Sequence, residues 1–474
     1  MAAAVNGDWL ERQFKMSQRG TNIRTELIGG LTTFMVMSYI IAVNPSILNL
    51  GGGGLDVTQV ATVTCLVAGV MSIAMGLYAN IAVAIAPGLG INAIVAFTLV
   101  GSMGLSFPEA MGVVVAEGII ITLLVVTGVR KYVMDVVPMP LKQAISVGIG
   151  FFILFIGLTN AGLITYNTGI PDSQFGTSSG LLSLTPLNTW AIFVVMVGLL
   201  VTIVLLARNH KAALLVGILA ATVTAFIVPG DVASWPDEPM KGPDFHLLGN
   251  FSFDFIGELG ILTALLVVLS LMLADFFDTM GTLIGVGSQA GYLDENGNLP
   301  DAQKPLLVDS LAAVAGGVAS SSSATSYIES SAGVGVGGRT GLVSVTTGVL
   351  FLLALPFVAI VNAIPAVATA PALIVVGVLM VGVLGGQAAG SAVDGARERG
   401  IDFSNIEQAL PVVVTMLMMP LTYNITNGIG AGFVTWVVMK VASGKGSQVH
   451  PALYVIAAAF ALYFLRWALF DATF

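Results

Sequence analysis

The sequence predicts an all-α polytopic membrane protein whose fourteen transmembrane spans form a 7+7 inverted repeat. Three observations predict this class. Charged residues make up 9% of the 474 residues, against about 25% in soluble domains. Apolar stretches of about 20 residues, the length that crosses a bilayer, recur throughout. Fifteen of the 17 Lys and Arg residues fall on one side of the membrane when successive spans alternate in direction.

The first half of the chain contains seven apolar windows separated by Gly, Pro or charged residues. They are predicted at 27–48, 58–79, 82–100, 108–129, 139–158, 188–207 and 212–229. A polar loop over 230–257 follows and is predicted to be extracytoplasmic. The second half repeats the count, with windows at 261–286, 306–320, 324–338, 341–362, 371–389, 405–422 and 425–441. The apolar tail 451–470 is either an extra span or an interfacial helix, and the sequence leaves both open.

The distribution of basic residues predicts the orientation. Residues 1–26 are polar and mixed in charge, unlike a cleavable signal peptide, so the first span is expected to act as the insertion signal. Cytoplasmic loops collect Lys and Arg, which predicts a cytoplasmic N-terminus in a multi-pass protein of the plasma (cytoplasmic) membrane. The residues on that side are Arg12, Lys15, Arg19, Arg24, Arg130, Lys131, Lys142, Arg208, Lys211, Lys304, Arg339, Arg397, Arg399, Lys440 and Lys445.

The two halves must cross the membrane in opposite senses, because seven is odd. An offset of 237 residues places Asn92 on Glu329 (92 + 237 = 329) and the fourth span, 108–129, on 345–366. The third window of each half also contains residues that interrupt a helix, in "AIAPGLGINAIVAF" and "SSSATSYIESSAGVGVGG". Paired interruptions at membrane depth are tolerated where they line a cavity, and in secondary transporters they indicate the binding site. We therefore expect the two breaks to face each other.

Two aspartates lie inside the apolar window "LMLADFFDTMGT". Asp275 and Asp278 are one helical turn apart and share a face with Thr279 and Thr282. A carboxylate at the centre of a span costs about 2.5–3.5 kcal/mol, so a substrate or proton role is expected of Asp275, and of Asp278 beside it. The alternative is that one of them caps the broken backbone of a neighbouring span.

Three further polar residues lie in predicted spans. Glu329 follows Tyr327 in the second interruption, and Asn92 occupies the matching place in the first, where an amide that both donates and accepts suits the edge of a heterocycle. The structural alternatives are bonding to free backbone amides for Glu329 and helix capping for Asn92. We expect Glu117 to be a structural partner, across to the aspartates. The sequence shows no metal-ligand cluster, and its three histidines lie in or beside loops, so neither a metal site nor an enzyme is expected.

Four motifs carry a resemblance that covers essentially the whole chain. They are "GGLTTFMVMSYIIAVNP" at 29–45, "APGLGIN" at 86–92, "ADFFDTMGT" at 274–282 and "SSSATSYIESSAGVGVGGRTG" at 321–341. Together they resemble the AzgA-like purine (adenine/guanine/hypoxanthine) permeases. These form a branch of the nucleobase-cation symporter-2 family, which includes the xanthine and uracil permeases.

The resemblance implies a core domain that carries substrate and slides, as an elevator, against a gate domain. Spans 1–4 (27–129) and 8–11 (258–362) would form the core, with short extended segments in spans 3 and 10. Spans 5–7 (130–229) and 12–14 (363–441) would form the gate, and 442–474 would be a C-terminal segment. A homodimer through the gate domains is also expected.

The resemblance also implies which residues bind substrate. Asp275 stands where the uracil permease branch has a glutamate that holds the base, and Thr279 stands where that branch has a histidine, so the histidine's proton role does not carry over. The implied substrate-binding residues are Asp275, Glu329, Asn92, Ala93, Tyr327, Ile328 and Thr279. Proton coupling is expected of Asp275, Asp278 and Glu329, because three buried carboxylates cannot all stay charged at low cost.

The expected function is import of purine nucleobases, hypoxanthine and guanine or else adenine, by proton symport. The expected partners are the purine, protons and the lipid bilayer, with no nucleic acid and no cofactor. The alternative on the same fold is an anion exchanger of the sulfate-transporter type, which three carboxylates at the site disfavour. A third reading, an intramembrane enzyme whose Asp-x-x-Asp pair holds a divalent metal, lacks further ligands and a nucleophile.

Overall fold

The computed structural model describes residues 7–50, 54–128, 136–166, 182–230, 232–235, 242–293, 299–382 and 401–470. These residues are mostly helical, which confirms the predicted helical membrane class. Within these described ranges, eight helices are long and apolar enough to cross a membrane, and five shorter apolar helices accompany them. The count of fourteen spans, the inverted repeat and the domain boundaries stay predictions.

The elements are numbered in chain order. The helices are α1 Gly7–Phe14, α2 Ile23–Met37, α3 Ile40–Leu50, α4 Val57–Ala74, α5 Leu89–Ala93, α6 Phe107–Val126, α7 Met139–Asn160, α8 Trp190–Ala207, α9 Ala213–Ile227, α10 Phe255–Leu259, α11 Ile261–Ala290, α12 Gln303–Val318, α13 Ser331–Gly335, α14 Gly341–Ala354, α15 Ala366–Val381, α16 Ile406–Leu421, α17 Ile425–Ala442 and α18 Pro451–Phe470. The strands are β1 Ile85–Pro87, β2 Ile164–Tyr166, β3 Leu182–Leu184 and β4 Ala324–Ser326. Helices α4 and α5 continue as π-helix over Met75–Ala79 and Ile94–Ser102.

Helices from the two halves of the chain pack against each other. Helix α4 packs on α14, α6 packs on α12, and α7 packs on α15. The α4–α14 crossing is close because a Cβ at Gly76 would meet the carbonyl oxygen of Gly341, and a Cβ at Gly341 would meet that of Gly76. Packing of helices from one half of the chain against helices from the other half is consistent with the expected repeat.

Both interrupted windows contain an extended segment, as expected. Strands β1 and β4 pair antiparallel, with Ile85 opposite Ser326 and Pro87 opposite Ala324. Ser320 and Ser322, which lead into β4, have φ angles of 59° and 76°, a left-handed conformation that costs a non-glycine residue free energy. The loop lies against α12 at Gly316, where a Cβ would meet the carbonyl oxygen of Ser322.

Two predicted spans differ from the structure. The window 324–338 is interrupted as predicted, by a strand, a 3-10 turn and the short helix α13, since its Ser and Gly residues favour turns over helix. The window 27–48 divides into α2 and α3 at Ser38–Tyr39. The window 371–389 begins earlier, at Ala366, because Pro365 caps the helix and Pro371 is accommodated inside it; its residues after 382 lie outside the described ranges. The tail forms α18, which packs on α17 and α11.

Several of the basic residues predicted to be cytoplasmic meet at one end of the helices, called here the basic end. The Arg19 side chain donates to the carbonyl oxygens of Asn80 and Arg339, at 2.6 and 3.0 Å. Lys211 Nζ donates to the carbonyl oxygen of Ala332 at 2.9 Å. Phe14, at the end of α1, is 1% exposed, so this end is covered by a packed N-terminal segment.

Candidate functional site

The antiparallel pair β1–β4 is the centre of the site, and backbone hydrogen bonds extend it at both ends. Gly88 N donates to the carbonyl oxygen of Ser323 at 2.9 Å, and Tyr327 N donates to that of Ala84 at 3.0 Å. The Tyr327 hydroxyl donates to the carbonyl oxygen of Pro87. The two interruptions therefore face each other, as expected, and we call this pair with its flanking residues 84–88 and 323–327 the ribbon.

Buried side chains fix the position of the ribbon. Ser72 both accepts from Ile85 N at 2.8 Å and donates to the Ile85 carbonyl oxygen at 3.0 Å. Asp309 Oδ1 accepts from the backbone N and from the hydroxyl of Ser326, each at 2.7 Å. Its other oxygen accepts from Thr279 Oγ1 at 2.6 Å. Asp309 thus links α11, α12 and β4.

One group of acids is fully buried. Glu117 on α6 and Asp275 on α11 are each 0% exposed. Ser323 Oγ lies 3.5 Å from Glu117 Oε2 and 3.5 Å from Asp275 Oδ2. The remaining oxygens, Glu117 Oε1 and Asp275 Oδ1, are buried with no hydrogen-bond partner among the described residues. Ser323 therefore lies beside both acids, and the expected partnership of Glu117 with the aspartates stays a prediction.

A second group of acids is more accessible. Asp278 and Glu329 are partly exposed and lie near enough to interact electrostatically. The Tyr39 hydroxyl donates to Glu329 Oε1 at 2.6 Å, which places the break between α2 and α3 beside this group. Ile328, next to Glu329, is 46% exposed. Lys142 Nζ lies 5.5 Å from the centre of the neighbouring Phe277 ring.

Asn92 and Ala93 lie at the end of α5, just after the ribbon. They are 0% and 1% exposed, and neither the Nδ2 nor the Oδ1 atom of Asn92 has a hydrogen-bond partner among the described residues. The amide does not cap α5, because the helix begins at Leu89 with Gly88 as its N-cap. A buried amide without partners is rare in folded proteins, so Asn92 is a candidate ligand-binding residue.

The structure thus separates the predicted site residues into two groups. It brings Glu329 together with Asp278, and it brings Asp275 and Thr279 into the buried group behind the ribbon. Sequence reasoning missed Asp309, although a lone acid within the predicted span 306–320 is the kind of signal that identified Asp275. It also missed Tyr39, for which the motif "VMSYIIAVNP" held no distinguishing signal.

Residues 24–386 match the family model Xan_ur_permease, described as "Permease family". The chain is 39% identical over 463 residues to adenine permease AdeQ of Escherichia coli (strain K12), covering 96% of this chain and 95% of that protein. It is 38% identical over 467 residues to guanine/hypoxanthine permease PbuG of Bacillus subtilis (strain 168), covering 95% and 98%. Its fold is similar to the transmembrane domain of a cyanobacterium bicarbonate transporter, BicA, with a TM-score of 0.59 at 16% identity, covering 89% of this chain and 97% of that one.

Proposed function

Because this chain belongs to the Permease family of membrane transporters, we propose that it carries purine nucleobases across the membrane. The similarity to adenine and to guanine/hypoxanthine permeases over nearly the whole chain confirms the resemblance to purine permeases that its motifs indicate. We propose hypoxanthine and guanine as substrates, with adenine as the alternative.

The observation that carries this proposal is the unpartnered amide of Asn92 together with the accessible acid pair Asp278 and Glu329. A purine presents N–H donors and ring-nitrogen acceptors along its edges. A carboxylate accepts only, whereas an amide both donates and accepts. In the proposed complex Glu329, which is oriented by the Tyr39 hydroxyl, accepts a hydrogen bond from a purine N–H. The Asn92 amide forms the remaining hydrogen bonds to the purine edge. The base lies along the backbone of Tyr327 and Ile328.

We propose that the transport cycle is proton symport with an elevator movement of the core domain. Purines are neutral near pH 7, so their accumulation requires a coupled ion. The site holds several acids, and an uncompensated charge is costly to carry across the membrane barrier. Uptake of a proton from the extracytoplasmic side would neutralise part of this charge, permit purine binding and favour movement of the core domain. Proton and purine would then leave together on the cytoplasmic side.

The structure supports a conformation of the site that is open toward the basic end. Asp278 follows Asp275 toward that end of α11, and it is the more exposed of the two. On the other side of Asn92, Phe97 forms edge-to-face contacts with Phe152 and Tyr423, with ring centres 6.0 and 5.5 Å apart. We propose that these rings close the extracytoplasmic path, and that this is the inward-facing state.

The likeness to a bicarbonate transporter concerns the fold alone, and anion exchange is not proposed. Glu117, Asp275, Asp278, Asp309 and Glu329 all surround the ribbon, and carboxylates repel an anion. The homodimer through the gate domains, the plasma-membrane location and the cytoplasmic N-terminus stay predictions.

A competition assay tests the proposal. Uptake of labelled hypoxanthine into cells that lack their own purine permeases is measured with and without this protein, against unlabelled hypoxanthine, guanine, adenine, xanthine, uracil and sulfate. We expect purines to compete and uracil and sulfate to have no effect. Competition by adenine alone would reassign the preferred purine. Competition by uracil or sulfate without any purine would contradict the proposal.

A further inference from the structure

Glu117 and Asp275 share one hydroxyl donor, Ser323, which the proposed purine contacts do not use. Both acids are 0% exposed, and Ser323 Oγ lies 3.5 Å from one oxygen of each. A hydroxyl donates one hydrogen bond, so it cannot serve two ionised carboxylates at once. A buried charge without a partner is costly, and one proton held by the pair removes one of the two charges. Carboxyl pairs that share a site titrate as a unit for the same reason.

The surroundings of the pair are acidic or neutral. The groups that act on it are Asp309 from α12, Asp278 from the next turn of α11, and the Ser323 hydroxyl at the start of the ribbon. Loss of the shared proton would change the net charge of the pair from −1 to −2 beside two further acids. Glu117 Oε1 and Asp275 Oδ1 have no hydrogen-bond partner among the described residues, so no donor at these oxygens compensates the added charge.

Ser323 connects the pair to the ribbon. Its hydroxyl lies 3.5 Å from both carboxyl groups, and its carbonyl oxygen accepts from Gly88 N at 2.9 Å. A change in the charge of the pair therefore acts directly on the residue that joins β4 to the start of α5, the helix that carries Asn92. This path runs from a buried proton to the proposed purine-binding amide through packed, hydrogen-bonded groups.

We infer that Glu117 and Asp275 together form the site of the transported proton, and that Ser323 couples its occupancy to purine binding at the ribbon. The inference rests on the proposed function and deepens it. It assigns Glu117, on a helix with no substrate contact, as a coupling residue, and it leaves Asp278 and Glu329 to hold the base. The proton enters from extracytoplasmic water, is held between the two carboxyl oxygens, and leaves to cytoplasmic water after the movement.

The test measures the pH dependence of hypoxanthine binding to purified full-length protein. If binding is linked to one proton, the dissociation constant rises by up to about tenfold per pH unit above the pH at which the pair loses its proton. Binding is titrated from pH 5 to pH 8.5, and for the wild type we expect the dissociation constant to rise by about tenfold or more across that range. Glu117→Gln replaces the shared proton by an amide N–H that can donate to Asp275. We expect the dissociation constant of this variant to change by less than about twofold over the same pH range.

The control is Glu109→Gln on the same helix. Glu109 is a partly exposed acid in the capping box at the start of α6, where Gln is also accepted, so the wild-type pH dependence should persist. A Glu117→Gln protein that binds hypoxanthine with the wild-type pH dependence would overturn the inference while leaving purine transport intact. Wild-type protein that binds no purine at any pH would instead contradict the proposed function.

Infrared difference spectroscopy of the wild type supplies a second test that needs no folded variant. Because the pair holds a proton, addition of hypoxanthine should change the C=O stretching band of a protonated carboxyl group, and the band should shift on exchange into D2O. Absence of any protonated-carboxyl band from the wild-type protein at pH 6, with purine binding intact, would also overturn the inference. Glu109→Gln should show the wild-type band.

Discussion

Two buried asparagines, Asn44 and Asn92, differ in what their side chains contact. Asn44 Nδ2 donates to Thr64 Oγ1 at 2.7 Å and to the Ser321 carbonyl oxygen at 3.1 Å, so it joins α3, α4 and the loop before the ribbon. The Asn92 amide has no partner among the described residues. The two residues are therefore expected to respond differently to the same substitution.

We predict that Asn92→Ala weakens purine binding by about 5- to 150-fold, because it removes a hydrogen bond whose buried partner is then left unpaired at a cost of about 1–3 kcal/mol. Its thermal stability should be unchanged. Asn44→Ala, the matched control, should lower the melting temperature instead. Binding of each purine by titration, and thermal unfolding in detergent, measure the two effects. Unchanged affinity of Asn92→Ala for every purine would remove Asn92 from the site.

Tyr39 is the residue that orients Glu329, through the bond of 2.6 Å from its hydroxyl. Tyr39→Phe keeps the ring and removes this donor to a charged group, an interaction of about 1.5–3 kcal/mol. We predict that hypoxanthine affinity falls by about tenfold or more. Tyr78→Phe is the control, since Tyr78 is 56% exposed. Equal affinity for Tyr39→Phe and the wild type would mean that Glu329 does not hold the base.

At the scale of whole elements, the packing of α4 on α14 depends on glycine. A Cβ at Gly341 would meet the carbonyl oxygen and the Cα of Gly76, both backbone atoms that cannot rotate away. We predict that Gly341→Ala destabilises the protein by about 1–3 kcal/mol, the usual cost of overpacking. Gly281→Ala on α11 is the matched control, because nothing lies within 4 Å of a Cβ there and Ala favours a helix. A melting temperature of Gly341→Ala equal to that of the wild type would contradict the close crossing.

Tyr423 belongs to the ring cluster that we propose closes the extracytoplasmic path. It contacts Phe97, Phe152 and Phe155 with ring centres 5.5, 5.4 and 6.3 Å apart, and each such pair contributes about 0.5–1.5 kcal/mol. Tyr423→Ala should therefore shift the balance of conformations toward the outward-open state by about tenfold or more.

Cysteine labelling measures this shift. The single native cysteine, Cys65, is 0% exposed, so an introduced Asn92→Cys is the expected target of a membrane-impermeant thiol reagent applied outside. Labelling should be faster in the Tyr423→Ala background than in the Phe193→Ala background, which loses a surface ring contact with Trp190. Equal rates would show that the cluster does not close this path.

At the scale of the whole molecule, the helical class and the two interruptions were predictable from sequence, and the division of the acids was not. Pro87 and the Ser- and Gly-rich stretch before Arg339 interrupt helices through local chemistry that a sequence displays. The grouping of Asp275 with Glu117, and of Asp278 with Glu329, depends on how α11 is rotated against α6 and α13. Residues three apart share a helix face, and only tertiary packing determines which of them is buried.

The same reason explains why Asp309 and Tyr39 were missed. Each acts through a contact with a residue distant in sequence, Ser326 for Asp309 and Glu329 for Tyr39. The motif "ADFFDTMGT" indicated the helix on which Asp275 and Asp278 lie. The break in "VMSYIIAVNP" became informative only when the structure placed Tyr39 beside Glu329.

The central claim is that purine movement is driven by protons, and uptake of labelled hypoxanthine into proteoliposomes tests it most directly. A pH gradient, acid outside, is imposed with and without sodium, and the Asp275→Asn variant is measured in parallel. With the wild type we expect accumulation of hypoxanthine above the external concentration, driven by the pH gradient and unaffected by sodium. Asp275→Asn should lose this accumulation. Accumulation that requires a sodium gradient and is indifferent to the pH gradient would contradict the account.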